Sequence, residues 1–541
     1  MLWNVVFDNF LRQNFGQHSI VAYVDDALVL CGGNSRAELE TKGNEILQNI
    51  LNWGSKYKLS FNASKTTCIV FNRPGNQNLY LRVPTIKMNA QTVRVKKTIK
   101  YLGVVLDFWL LWNSHAAYVN DRTGKIFNAF AGIARRCWGL STDAMEAIYN
   151  QIFVPITTYA CGSWGEAVHK VHIKHKLWAT QRRALIQLTK AYSTTPNASL
   201  HILARKAPID KVVTLHLKTW HIKWGRDIVT NIIIISSNDL ERKVKYSDTR
   251  HPATRYKTHF GTNDLADVYI YTDGSKSDTS VGSGFVAYNS NGSEIAVGQY
   301  RLDANCTVFQ AELFAISMAT SWADNNHTHD KISITTDSAS ALAILQSSNF
   351  HPLANNIQET INNSTCHFYL NWTRAHQGHF GNERADALAK DASSNINLPT
   401  AYSKLNINSI KGILWKDLLR SWQDEWDTNH LHSITHSFIP NINDFLTYSW
   451  YVPGHRISQI LTNHGRFHSY LARFKNTNNP NCPICATTDG SKHYILTCPM
   501  TERERLQHKI LTETHKPHLA TTKSELFHQI QRLVSCSTKH L

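Results

Sequence analysis

VYIYTDGS, residues 268–275, alternates strictly: Val268, Ile270 and Thr272 fall on one face of a strand, and Tyr269, Tyr271 and Asp273 on the other. The strand ends on an acid in a turn-forming frame. Three more acids sit in comparable frames downstream: Glu312 in FQAELFAI, Asp337 in TTDSASAL and Asp386 in GNERADALAK. Glu312 lies three residues after Phe309 and four before Ile316. It therefore shares the apolar stripe Phe309, Leu313, Ile316, Thr320 of a helix expected over Thr307–Ala323. An unpaired carboxylate on such a stripe is costly. Acids placed at strand ends and on an apolar helix are expected to gather in one buried cluster, stable only with bound cations.

The same alternation continues around these frames. Strands are expected over Val281–Asn289 and Glu294–Leu302, joined by the turn Asn289-Ser290-Asn291-Gly292. A strand over Lys331–Asp337, a short helix over Ser338–Gln346, a strand over His367–Thr373 and a helix over Asn382–Ala392 follow, with Asn382 as candidate N-cap.

In order, frames and spacing, residues 266–393 resemble the RNase H fold, in which a mixed five-stranded sheet with helices carries an Asp-Glu-Asp-Asp site. The resemblance implies two Mg²⁺ or Mn²⁺ ions acting on an RNA–DNA hybrid, and oxygen-only ligands suit these ions better than zinc. It also implies roles: Asp273 bridging both ions, Asp386 on the nucleophile side, and Glu312 and Asp337 on the leaving-group side. His376, in WTRAHQGHFGNE, would serve proton transfer or product release. The competing reading, in which these residues are caps, turns and surface acids, suits any one frame better than five in order.

At 541 residues the chain is too long for one core, and roughly three or four units are expected. A content of 42% apolar and 10% aromatic residues is globular. No apolar run approaches the ~20 residues that cross a bilayer, so no membrane partner is expected, and the location expected is nuclear or cytoplasmic. Between Ala266 and Ser393 there are 13 acids and 6 Lys or Arg, a net charge of −7 in a chain of +17; the remainder carries +24. Basic flanks around an acidic module suit a metal-dependent site supplied with nucleic acid by its neighbours.

Towards the N-terminus, VAYVDDALVLCGG is two apolar stretches around adjacent acids, followed by LSFNASKTTCIVF (Leu59–Phe71), IKYLGVVLD (Ile99–Asp107) and a basic, largely helical stretch. This order resembles the palm (1–107) and helical thumb (108–225) of a LINE-type, non-LTR retrotransposon reverse transcriptase. The resemblance makes Tyr23, Asp25 and Asp26 its YxDD residues. MLWN at the start resembles the middle of a palm helix, so the fingers and the first palm acid are expected to be missing. Two-metal polymerisation needs acids from both palm strands, and DNA synthesis by this chain alone is therefore not expected. Arg135, Arg136, Lys170, Lys174, Lys176, Arg182 and Arg183 interleave with Trp138, Trp164 and Trp178. The cations suit phosphate contacts, whereas core packing is the favoured role for the tryptophans.

Beyond a linker (226–265) and the central module, a helical segment (394–480) places Trp415, Leu419, Trp422 and Trp426 at helical spacing, a stripe expected to face a core. The tail (481–541) holds Cys482, Cys485, His493 and Cys498 as C-x₂-C-x₇-H-x₄-C, with the pair Cys482 and Cys485 expected on a turn and His493 and Cys498 on a helix. This spacing fits one closed, structural Zn²⁺ site needed for local folding. The alternative is three free cysteines on a packed helix. With the preceding ILTNHGRFHSYLARF, the arrangement resembles the zinc-knuckle-like end of LINE-type polyproteins. The leading expectation is a multidomain retrotransposon polyprotein fragment that cleaves RNA in RNA–DNA hybrids and binds other nucleic acid. The alternative is a non-catalytic nucleic-acid-binding remnant.

Overall fold

The computed structural model describes residues 2–12, 19–24, 26–71, 83–136, 141–245, 258–261, 265–347, 351–375, 377–449, 451–475 and 479–503. Two compact units are present: Leu215–Asp424, and Met1–Thr214 with Glu425–Leu541.

The unit 215–424 is built on one sheet. Strands β1 (Val268–Lys276), β2 (Val281–Asn289) and β3 (Glu294–Leu302) form an antiparallel meander, and β4 (Lys331–Thr336) and β5 (His367–Trp372) add in parallel beside β1. The β2–β3 turn closes at Gly292 (φ +79°), and Asn289 Oδ1 accepts from the N–H groups of Asn291 and Ser293. The five expected strands are joined by two short ones: His259–Phe260 pairs outside β5 and Thr400–Tyr402 outside β3, giving seven. Neither short strand has the length for an alternation to be read from sequence.

Helices α1 (Val308–Asn326), α2 (Ala339–Gln346) and α3 (Pro352–Asn363) bury one face of the sheet. Helix α1 starts at a reciprocal capping box, in which Thr307 accepts from Gln310 N–H and the Gln310 side chain accepts from Thr307 N–H. Helix α3 was not expected. Its apolar residues Leu353, Ile357 and Ile361 repeat every four residues within a polar, Asn-rich stretch, behind a proline suited to the first turn. Helix α4 (Phe380–Ser394) covers the other face over Val286 and Tyr288. It begins two residues earlier than expected: His379 is the N-cap, and Asn382 lies inside the first turn. The close fit of α4 on β2 explains the VGSG sequence there, because a Cβ on Gly282 would sit 2.1 Å from Ala389 O and one on Gly284 2.8 Å from Ala389 N.

Part of the interval read as a linker is packed. Ile222, Ile228, Ile235 and Leu240 form a small core with Leu405, Ile410 and Leu414. Glu241 anchors it: Tyr402 donates its hydroxyl to Glu241 Oε1 at 2.6 Å, and His351 lies 3.3 Å from Oε2. In the helix Ile407–His430 the buried stripe is Ile410, Leu414, Leu418, Trp422 and Trp426; Trp415 is 42% exposed, so the expected stripe was placed one residue off at its start.

In the other unit, the hairpin Ser19–Tyr23/Asp26–Leu30 and the helix Arg36–Lys56 gather Phe7, Phe10, Ile46, Ile50 and Trp53. Ile99–Asp107 is a hairpin rather than one strand: Thr98–Tyr101 pairs with Val104–Asp107 around Leu102 (φ +44°) and Gly103 (φ +83°). The helical region that follows has its own core around Phe127, Phe153, Trp164, Leu177 and Leu185. C-terminal segments dock on it, with Ser458 donating to Thr189 O at 2.7 Å and Tyr451 to Leu203 O at 3.1 Å.

Two alanine substitutions test this packing with opposite signs. Gly282→Ala forces α4 off the sheet and is expected to destabilise by about 1–3 kcal/mol. Gly412→Ala, in a helix with nothing within 4 Å of the new Cβ, is expected to stabilise by about 0.5–1 kcal/mol. Thermal unfolding followed by circular dichroism reads both.

Candidate active site and metal centre

The four acids reach one place from four elements. Asp273 sits near the end of β1, opposite Gly284 of β2, and Asp337 follows the last residue of β4. Glu312 lies in the second turn of α1, and Asp386 in the second turn of α4. The approach of α1 to β1 requires glycine at 274, where a Cβ would lie 2.6 Å from Glu312 N and 2.9 Å from the Ala311 side chain. TDGS is thus a close-approach signal as well as a turn frame.

Asp273, Glu312 and Asp337 each offer a carboxylate oxygen within 4.8 Å of the others. Asp386 is within hydrogen-bonding reach of Asp273, while its Oδ2 also pairs with Lys390 at 2.7 Å, one helical turn on. Asp273 and Glu312 are only 7% and 6% exposed. Burial pushes the Glu312 carboxyl up to about 9, and the charges of Asp273 and Asp337 add to it. Burial and then Asp337 push Asp273 up to about 7, opposed by the Gly274 N–H that donates to its Oδ1 at 2.7 Å. Glu312 Oε2 is buried and has no hydrogen-bond partner. An all-oxygen donor set with a buried, unsatisfied carboxylate oxygen fits a hard divalent cation.

Two surrounding residues hold Asp337 in ways the sequence does not signal, Asn382 reading there as a helix cap. Asn382 donates from Nδ2 to Asp337 Oδ2 at 3.3 Å, and Trp372 donates from its indole nitrogen to Asp337 O at 3.0 Å. His376 and Asp25 lie outside the described residues. Tyr23 is 61% exposed at the hairpin end, and Asp26 begins the return strand. Among the described residues Asp26 belongs to no cluster of three metal-ligating side chains.

Cys482, Cys485, His493 and Cys498 form the second cluster. The Cys482 and Cys498 sulfurs are 3.9 Å apart, near the roughly 3.8 Å edge of a tetrahedron of thiolates about 2.3 Å from a central ion. Cys485 Sγ lies 3.3 Å from His493 Nε2, and His493 Nδ1 is 3.1 and 2.9 Å from the Thr487 and Thr497 hydroxyls, which orient the ring. The Thr487 hydroxyl also lowers the Cys485 thiol pKa, whereas burial raises that of Cys498. His493 is on the helix Ser491–Leu496, but Cys498 lies past its end, where its N–H donates to His493 O at 2.8 Å. Residues 504–541 of the tail, and Trp138 with the side chains of Arg135 and Arg136, lie outside the described residues.

Several of the cations of 108–225 are engaged internally. Lys174 pairs with Asp210 at 3.4 Å and lies over the Trp178 ring at 4.5 Å, while Arg182 donates to Asn197 Oδ1 and Ser193 O. Trp164 is 1% exposed, and the Trp178 indole N–H is held by Asp210 at 2.7 Å.

Residues 266–394 match the RNase H family, and residues 1–106 match the family of reverse transcriptase (RNA-dependent DNA polymerase). Curated relatives include a Pol polyprotein of the type-1 retrotransposable element R1 of Nasonia vitripennis, 28% identical over 239 residues, covering 42% of this chain and 60% of the relative. A putative 115 kDa protein in the R1DM element of Drosophila melanogaster is 25% identical over 230 residues, covering 42% of this chain and 22% of that protein. The chain thus spans less than two thirds of the length of these relatives. Among solved structures, RNase H1 of Halobacterium salinarum is 23% identical with a TM-score of 0.20, covering 23% of this chain and 96% of the archaeal one. The matches support a non-LTR retrotransposon polyprotein with an RNase H domain and a reverse transcriptase region.

The raised carboxyl pKa values set a pH dependence. An acid whose pKa is higher in the folded than in the unfolded state contributes stability at low pH that is lost as pH rises. Metal-free protein is therefore expected to lose stability from the ordinary carboxylate range up through about 7 and towards about 9. A divalent cation that binds only the folded state reverses the loss. Glu312→Gln is expected to raise metal-free stability at alkaline pH by about 1–3 kcal/mol and to weaken the cation response, both read by thermal melts with and without Mg²⁺.

Proposed function

We propose that this retrotransposon polyprotein chain hydrolyses the RNA strand of RNA–DNA hybrids at Asp273, Glu312, Asp337 and Asp386. The observation that carries the reading is the convergence of three of these acids, with Glu312 Oε2 buried and unpaired, on the RNase H domain. The four carboxylates would hold two Mg²⁺ or Mn²⁺ ions. Such ions, when bound, supply Lewis acidity that lowers the pKa of an attacking water and stabilises the departing ribose oxygen.

The chain's own groups set the stage for that chemistry. Gly274 N–H fixes one Asp273 oxygen, and the Asn382 amide fixes Asp337. Lys390 keeps a positive charge beside Asp386 and limits repulsion among the acids. Burial pushes the Asp273 and Glu312 carboxyls up, so cations held by these residues would bind the deprotonated forms, and cation affinity and cleavage are expected to rise with pH through neutrality. His376 follows β5 in sequence, and we assign it proton transfer or product release. Selection of RNA rests on the ribose 2′-OH and on duplex shape, with little sequence preference.

Cys482, Cys485, His493 and Cys498 would hold one structural Zn²⁺, leaving no open position for chemistry. RNA-directed DNA synthesis is not assigned to this chain by itself; with further palm acids supplied by another segment, Tyr23, Asp25 and Asp26 would contribute to it. The reaction belongs inside the cell, in the nucleus or cytoplasm, where such hybrids form.

Two experiments test this reading. A labelled RNA–DNA hybrid is expected to be cut by the chain with Mg²⁺ and left intact with EDTA. Asp337→Asn is expected to slow cleavage by roughly 10²-fold or more while retaining hybrid binding. Equal cleavage by parent and variant would remove the active-site assignment, and binding without cleavage by the parent would favour the non-catalytic alternative. For the tail, one equivalent of zinc is expected by metal analysis, and Cys485→Ser is expected to lower zinc affinity and increase proteolysis within 479–503 without changing hybrid cleavage.

A further inference from the structure

The RNase H domain carries a net charge of −7, and its proposed substrate is a polyanion. The +24 carried outside its 266–393 core offers further cations for substrate affinity. The same compact unit supplies a group of them at the end of the helix Ile209–Lys223.

Trp224 follows that helix and is 70% exposed, the most exposed tryptophan among the described residues. Its ring lies 5.7 Å from that of Trp220, inclined by 34°, and the Arg226 guanidinium lies 5.7 Å from the Trp220 ring centroid. Arg242 donates to Lys223 O at 2.9 Å and to Ile222 O at 3.4 Å, which brings the exposed Lys243 next to the same turn. Lys223, Arg226, Arg242 and Lys243 are all exposed.

Two acids close to this surface in sequence are engaged in hydrogen bonds. Asp227 accepts from Ser237 N–H at 2.6 Å and from the Ser236 hydroxyl at 3.3 Å, and Glu241 is buried against Tyr402 and His351. What is exposed here is the Trp224 indole with four exposed cations, Lys223, Arg226, Arg242 and Lys243, close to it in sequence or across the Arg242 contact.

We propose that Trp224, with Lys223, Arg226, Arg242 and Lys243, binds single-stranded nucleic acid: a base stacks on the indole while the cations contact the flanking phosphates. Stacking on an aromatic face with backbone neutralisation is tolerant of sequence. This surface would hold the unpaired extension of a hybrid while its duplex part occupies the carboxylate site. The inference rests on the nucleic-acid reading above but not on cleavage. The adjoining turn exposes Val229, Ile232, Ile233 and Ile234, so a protein partner is the competing occupant.

The test uses the full chain with Asp337→Asn, so that hydrolysis does not confuse binding. The probe is a short fluorescein-labelled single strand of mixed sequence, followed by anisotropy. Trp224→Ala is expected to weaken binding about tenfold, Trp224→Phe to restore most of it, and Trp415→Ala, an exposed control in the same unit, to change nothing. Lys223→Ala with Arg226→Ala is expected to reduce the salt slope by about 0.7 per cation removed. A thiouridine-bearing RNA strand is expected to crosslink within 220–245. Unchanged affinity in Trp224→Ala, in a variant with an unchanged melting temperature and no crosslink in that interval, overturns the proposal. A change in oligomeric state without loss of binding overturns it in favour of a protein partner. A hybrid left uncut by the parent chain refutes the nuclease reading and leaves this one standing.

Discussion

The mutual repulsion of Asp273, Glu312 and Asp337, held together in a mostly dry pocket, is the constraint around which the unit 215–424 is organised. Burial, joined by the charges of the neighbouring acids, pushes Glu312 and Asp273 above the ordinary carboxylate range, and only single hydrogen bonds to Asp273 and Asp337 offset it. The surrounding core imposes the arrangement. Ile270, Ile334, Leu313 and Ile316 are at most 1% exposed, and each such burial contributes about 1.5–3 kcal/mol. That sum offsets the cost of burying the carboxyl groups beside it. The acids are therefore positioned by apolar packing before any ligand arrives, which limits the reorganisation left for the reaction.

The Cys482–Cys498 cluster follows the opposite logic. Its only regular element is a six-residue helix, and few apolar side chains are buried there beyond Tyr494 and Ile495. Such a segment has too little core to hold thiol and imidazole groups in place unaided, so a bound ion would supply the folding energy. The carboxylate cluster thus rests on a large apolar core, whereas the Cys/His cluster rests on a short segment tied to its neighbours by bonds such as Ser491 N–H to Asn463 Oδ1.

Much of this was legible because charge and periodicity conflict in the sequence. Glu312 on an apolar stripe and Asp273 at the end of an alternating strand have no comfortable position except beside one another. Strands β1 and β4 alternate in sequence with a period of two, whereas β2 is buried on both faces. What escaped was set by long-range packing. The strand Thr400–Tyr402 is too short for a pattern and exists because it completes the edge beside β3. Helix α3 hides its apolar stripe among asparagines. Trp415 has the character of a core residue, but the stripe is fixed by Leu414, which faces the small core with Ile222 and Leu240, and by the buried Leu418 one turn on. Glycines 282 and 284 were visible as letters, yet their meaning, a helix lying directly on the strand, needed the structure.

Asp386 differs from the other three acids in a way that bears on how such a site works. It sits on a helix face that is only partly covered, and its partner Lys390 is one turn away. An i,i+4 pair of this kind contributes only about 0.2–0.5 kcal/mol, so it does little to fix the carboxylate. Asp273 and Glu312 are the reverse case, held in place by the core and pushed up by burial. The acids of one cluster thus differ in their electrostatics because the fold buries them to different depths, and not because their side chains differ in chemistry.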